Sequence, residues 1–226
     1  PAARMRLFCF PYAGGGASMY RDWPALLPED IELCLIQLPG REERLQEAPM
    51  TQMSALIEQL TDAMLAHLDK PFAFLGHSMG GMLGFEVARR LRELGAQQPS
   101  HLFVSARQAP QLVSHDEPLR FLPSQAFVDK LHALYGAVPD AIRRSPELQK
   151  VFLPILKADV TLLETHTYVS GERLECPITV FGGEQDPHIS PAMLSAWQEH
   201  THAEFTQQLF PGDHFYITAA KNAVAQ

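Results

Sequence analysis

The sequence predicts an α/β fold, a mostly parallel sheet flanked by helices. Three observations carry this. Short apolar runs rich in β-formers recur along the chain, helix-period segments lie between most of them, and 226 residues at 46% apolar content suffice for one substantial core. Strands that alternate with helices run parallel and bury both sheet faces. A second independent domain would be cramped, so residues 1–226 are expected to form a single domain.

The first strand is expected at Leu7 to Phe10, leading into "PYAGGGASMY". A glycine-rich turn between a strand and a helix can cradle a phosphate, offer amides to an oxyanion, or be merely tight. The triplet Gly14 to Gly16 fits neither GxGxxG nor GxxxxGK[ST], which excludes a P-loop and disfavours a dinucleotide site. Further strands are expected at Ile31 to Ile36, Phe72 to Leu75, Leu102 to Ser105, Ile178 to Phe181 and Glu204 to Leu209. Helical periodicity covers Met53 to Leu68 and Met79 to Leu94, the latter closed by Gly95 as a C′ glycine. From Pro118 to about Tyr168 strand signals stop. "SQAFVDKLHALYG", "DAIRRSPELQ" and "VFLPILKADVTLLETH" read as a helical insertion, either extra cover for the core or a lid over the sheet's carboxyl edge.

Charge and cysteine content narrow the setting. Lys and Arg number 18 against 26 acidic residues, a net charge of -8, which argues against nucleic acid and anionic membrane surfaces. Cys9, Cys34 and Cys176 are widely spaced and odd in number, as expected of reduced, mostly buried thiols rather than disulfides or a zinc site. The opening "PAARMRLF" has no signal-peptide core, and no segment approaches about 18 uninterrupted apolar residues. A cytoplasmic monomer is expected, and the missing initiator Met suggests a trimmed chain.

The chemistry centres on "GHSMG", Gly76 to Gly80, which follows a strand and opens a helix. This is G-x-S-x-G in the context of an α/β-hydrolase nucleophile elbow, with Ser78 as the nucleophile. A serine needs a base and an orienting carboxylate, which in this fold follow in the order Ser, Asp/Glu, His. His214, in the loop after "FTQQLFPGD", is the expected base, with His188 as runner-up; His67, His132, His200 and His202 read as solvated. His77 would diverge from its neighbour on a tight elbow and is assigned to packing or to hydrogen bonding behind the site. Asp186, after "ITVFGGEQ", is the expected acid, with Asp213 its chief rival and Glu184 a weaker one. The elbow takes one oxyanion donor from the residue after the nucleophile and another from an earlier loop, which nominates the amides of Met79 and Ala13.

With these residues in place the chain resembles a type II thioesterase, the free-standing α/β-hydrolase that accompanies nonribosomal peptide and polyketide synthases. "LFCFPYAGGGASMYRDW", "IQLPGREER", "FLGHSMGG", "LFVSARQAP", "LPILKADVTLLETHTY", "ITVFGGEQDP" and "FPGDHFY" carry the likeness over nearly the whole length. The resemblance implies Ser78, Asp186 and His214 as a triad, a mobile helical lid over about 118–168, and hydrolysis of acyl groups from the phosphopantetheine arm of acyl or peptidyl carrier proteins. It implies no metal and no diffusible cofactor. The first strand would match the third of a complete α/β-hydrolase sheet, and the end after His214 leaves room for one closing helix. "PGREER" most simply reads as a solvated loop, and the family pattern makes Arg41 and Arg44 candidates for the site rim. The rival readings are a medium-chain fatty acyl thioesterase that terminates fatty acid synthesis, an ordinary carboxylesterase or lipase, and an inactive hydrolase-fold binding module.

Overall fold

The computed structural model describes residues 3–112, 117–136 and 138–226. Ala137, inside the insertion expected over 118–168, lies outside the described residues, as do Pro1 and Ala2 of the opening segment.

Six parallel strands form one sheet: β1 (Met5–Phe10), β2 (Ile31–Leu35), β3 (Phe72–His77), β4 (Leu102–Ser105), β5 (Ile178–Gly183) and β6 (Phe205–Phe210), in the spatial order β2-β1-β3-β4-β5-β6. All six runs expected from the sequence are strands, with ends shifted by at most two residues. Alternation along β1 shows why a buried parallel strand reads as continuously apolar. Phe8 and Phe10 enter one core with Phe72, Phe74 and Leu83, while Leu7 and Cys9 enter the other with Tyr20, Leu75 and Phe181.

The order matters for function, because the chain leaves β1 for β2 on one side and returns to β3 on the other. Crevices open at such a reversal, outside the carboxyl ends of the two strands. The pairing of Phe10 with Gly76 brings those ends level, so the loops after β1 and β3 emerge side by side.

Two helices follow the expected periods, α1 (Met53–Leu65) and α2 (Met79–Glu93). Beyond α2, Gly95 adopts φ +64°, and its N–H and that of Ala96 bond back to the carbonyls of Arg92 and Leu91, as a C′ glycine allows. The insertion contains α3 (Ser124–Tyr135), α4 (Asp140–Arg144) and α5 (Pro146–Thr165). The expected middle piece breaks at Ser145, whose hydroxyl accepts the Leu148 N–H while Pro146 takes the first helical position. Pro154, by contrast, is carried inside α5. The insertion has its own apolar cluster of Phe127, Val128, Leu131, Val138, Leu156 and Val160.

After β5 comes α6 (Pro191–Ser195), and the chain ends in two short helices, α7 (Tyr216–Ala219) and α8 (Lys221–Val224), where one was expected. Ala220, at φ -91° and ψ 12°, interrupts them. Cys9, Cys34 and Cys176 are free thiols, Cys9 and Cys176 buried and Cys34 half-buried. Among the described residues no helix is long and apolar enough to cross a membrane.

Candidate active site

Ser78 sits between β3 and α2 at φ 54° and ψ -113°, a strained conformation for a residue with a side chain. Its N–H donates to the Ser105 carbonyl at 2.7 Å. The flanking glycines permit the turn through close approach: a Cβ on Gly76 would lie 2.1 Å from the Gly80 carbonyl, and one on Gly80 2.2 Å from the Phe10 oxygen. Strand and helix backbones therefore meet where any larger residue would hold them apart.

His214 lies four residues beyond β6 and is 4% exposed. Its Nε2 is 3.1 Å from Ser78 Oγ and its Nδ1 is 2.7 Å from Asp186 Oδ2. Asp186 Oδ1 accepts the N–H groups of His188 and Ile189 at 2.9 and 3.2 Å. Burial pushes the Asp186 carboxyl up, but the His214 hydrogen bond and charge and those two amides outweigh it and hold the group below its usual range. An ionised carboxylate on Nδ1 fixes the tautomer that leaves Nε2 free to accept the serine proton.

The rivals point elsewhere. Asp213 accepts the N–H of Phe215, Glu184 is exposed beside Gln185, and His188 Nε2 bonds the Leu134 carbonyl at the end of α3. His77, diverging from Ser78, is fully buried beneath His214, its ring 5.4 Å from that of the base. Its Nδ1 bonds Ser105 Oγ, which in turn meets the Tyr216 hydroxyl. Burial and the neighbouring His214 charge push its pKa well down, so His77 stays neutral. His200 corrects the expectation of a solvated side chain: it is buried among Phe85, Tyr168 and Trp197, with Nε2 on Gln111.

The glycine loop begins with a tight turn in which the Gly15 N–H reaches the Tyr12 carbonyl at 2.9 Å and Gly14 takes φ +81°. Among the described residues, neither the Ala13 nor the Met79 N–H is bonded to an acceptor. Ala13 lies in the loop after β1, and Met79 opens α2 directly after Ser78.

The two arginines of "PGREER" differ in their surroundings. Arg41 is 4% exposed, and its guanidinium forms a two-pronged pair with Asp159 of α5 at 2.6 and 2.8 Å. That corrects the expectation of a rim contact for Arg41, since a guanidinium so engaged faces into the protein. Arg44 stays half-exposed, bonded to Glu47 and to the Gln37 carbonyl. Glu42 accepts the Ser18 N–H and hydroxyl, and Gln37 accepts the Ala17 N–H at 2.8 Å, so the segment clasps the glycine loop. Asp159 was missed in the sequence, although an acid among Ile155, Leu156 and Val160 on an apolar helix face is a readable signal of a buried charge.

A cavity of about 260 Å³ reaches His214 between the end of α3, at Leu134 and Tyr135, and the loop holding Gln185 and Pro187. The Tyr135 ring lies 5.1 Å from that of His214. Among the described residues no group of three His, Cys, Asp or Glu side chains could hold a metal ion.

Comparison with known proteins adds to this geometry. The thioesterase domain model matches residues 5–226. The gramicidin S biosynthesis protein GrsT of Aneurinibacillus migulanus is 42% identical over 220 residues, 97% of this chain and 86% of that protein. Among solved structures, the RedJ thioesterase from the prodiginine pathway of Streptomyces coelicolor superposes with a TM-score of 0.92 at 36% identity, covering 99% of this chain and 89% of its own. The type II thioesterase BorB from the borrelidin biosynthetic cluster gives a TM-score of 0.89 at 34% identity over 100% and 92%.

Proposed function

Since the chain belongs to the thioesterase family and is by that membership a thioester hydrolase, we propose that it clears acyl groups from carrier proteins of a peptide or polyketide assembly line, with Ser78, His214 and Asp186 as its catalytic triad. The type II relatives support this reading. The observation that carries the mechanism is the hydrogen-bonded series from Ser78 Oγ through His214 to Asp186, at 3.1 and 2.7 Å, on a strained elbow.

His214 Nε2 takes the Ser78 proton as Oγ attacks the thioester carbonyl. The amides of Ala13 and Met79 receive the developing oxyanion, at the amino end of α2 where the helix dipole favours negative charge. Collapse of the tetrahedral intermediate breaks the C–S bond, and the imidazolium returns its proton to the departing pantetheine thiolate. Water, deprotonated by the same imidazole, then attacks the acyl-serine, releasing the acid and restoring the Ser78 hydroxyl. Asp186 keeps the ring oriented throughout. The residues that act are all protein groups, and we propose no metal or diffusible cofactor.

In this reading residues 1–226 work as one hydrolase domain, and the helices within 118–168 form a lid over the cavity beside His214. We propose a cytoplasmic monomer that meets its substrate on a carrier protein. The test compares hydrolysis of an acylated carrier protein, an acyl thioester of a short pantetheine mimic and a nitrophenyl ester. Turnover of both thioesters, fastest on the carrier, supports the proposal, whereas turnover of the oxygen ester alone refutes it.

A further inference from the structure

The Arg41–Asp159 pair raises a physical question, because burying two charges is costly and a pair of apolar residues often stabilises a fold as well or better. What distinguishes this pair is a third partner. Asp159 Oδ2, which already takes Arg41 Nη1, also accepts the Gly14 N–H at 2.7 Å, and Arg41 Nη1 reaches the Gly15 carbonyl at 3.2 Å. Both groups hold the backbone of the glycine loop.

The bond to Gly14 falls at a sensitive place. Tyr12 to Gly15 forms a turn closed by the Gly15 N–H on the Tyr12 carbonyl, with positive φ at its third residue, the pattern of a type II turn. Type I and type II differ by a flip of the central peptide, here the one joining Ala13 to Gly14. The Gly14 N–H belongs to that peptide, and a charge-assisted bond to a carboxylate is roughly twice as strong as a neutral one. Arg41 supplies the compensating charge that makes a buried carboxylate tolerable there. One helical turn before Asp159, Leu156 packs so closely on Gly14 that an added Cβ would lie 2.4 Å from its Cδ2. Helix α5 thus touches the turn twice, once with a charge and once with an apolar side chain.

We infer that Asp159 and Arg41 are positioning residues for hydrolysis: they fix the Ala13–Gly14 peptide and so hold the turn whose preceding peptide carries the Ala13 N–H that meets the oxyanion, and they tie that turn to helix α5. The inference rests on the hydrolase reading above. The same contacts mean that α5 cannot swing away from the loop without releasing the carboxylate that sets the turn.

The experiment removes both charges together. In the double variant Arg41→Met with Asp159→Leu, no unpaired charge is left behind, and apolar replacement of a buried pair is often neutral for stability. Asp159→Asn, which keeps the size of the side chain, is the second variant. Each is assayed for kcat and KM on an acyl thioester and for affinity to a trifluoromethyl ketone, which forms a tetrahedral adduct with an active serine. In a folded double variant kcat is expected to fall by about tenfold or more, the misplacement of one oxyanion donor, with KM within about threefold. Ketone affinity should fall in step with kcat, which a merely structural role would not produce. Asp159→Asn should show a smaller loss of the same kind. Wild-type kcat and ketone affinity in either folded variant overturn the inference. Turnover by the wild-type chain reports separately on the hydrolase reading.

Discussion

Replacing Gly14 with alanine perturbs the turn at its tightest point. At φ +81° a side chain carries a backbone cost of about 1–2 kcal/mol. The new Cβ would stand 2.4 Å from Leu156 Cδ2, and driving that side chain off its rotamer adds about 0.5–1.5 kcal/mol. The sum is about 1.5–3.5 kcal/mol of stability. Gly95→Ala is the control, since Gly95 shares the positive φ at +64° but a Cβ there meets nothing within 4 Å. It should lose only the backbone share and leave activity untouched. Urea unfolding of both variants separates the two contributions, and thioester hydrolysis reads the consequence for the site. If the turn holds an oxyanion donor, Gly14→Ala lowers kcat by tenfold to about a hundredfold. A folded Gly14→Ala variant with wild-type kcat would refute the reasoning, as would equal destabilisation by the two alanines.

Asp186→Asn should preserve the fold and lower kcat by about a thousandfold or more, because the amide no longer enforces the productive imidazole tautomer. A loss below tenfold in steady-state kinetics would transfer the role to Asp213 or Glu184. Acid should weaken the fold before it reaches the carboxylates. Burial pushes His77 well below its usual pKa and His200 down to about 4, so below about pH 6.5 the unfolded chain binds protons that the folded chain refuses. Stability should fall as pH drops from about 6.5 towards 5, by up to about 1.4 kcal/mol per pH unit for each histidine. Asp186, held below its usual range, adds stability that is present above about pH 4 and lost only below it. Urea midpoints that stay constant between pH 7 and pH 5 would contradict this account.

Local signals made most of the scaffold legible. A strand buried on both faces has to be apolar throughout, so Phe72 to Leu75 and Ile178 to Phe181 stood out. The elbow was legible because only glycine fits at 76 and 80, where an added Cβ would stand 2.1 and 2.2 Å from neighbouring backbone atoms. The positions of Asp186 and His214 followed from loops that leave adjacent strands at one sheet edge. What stayed hidden depends on distant segments. Nothing near Arg41 announces that its partner is Asp159, 118 residues away, so a loop of charges read as solvated or as a rim. His200 looked exposed for the same reason, since Phe85, Tyr168 and Gln111 reach it from elsewhere in the chain. The break at Ser145 and the continuity through Pro154 show that proline is ambiguous in sequence. Pro146 at the first helical position starts a helix, while Pro154 is carried at an exposed position inside the same one.

The most direct test of the central claim, that Ser78 is a nucleophile activated by His214 and Asp186, is the intact mass of the protein after exposure to a serine-directed fluorophosphonate. The account predicts one adduct per chain, located by peptide mapping at Ser78, absent in Ser78→Ala and strongly slowed in Asp186→Asn. A folded wild-type chain that gains no mass, or that is labelled equally in Ser78→Ala, would contradict it.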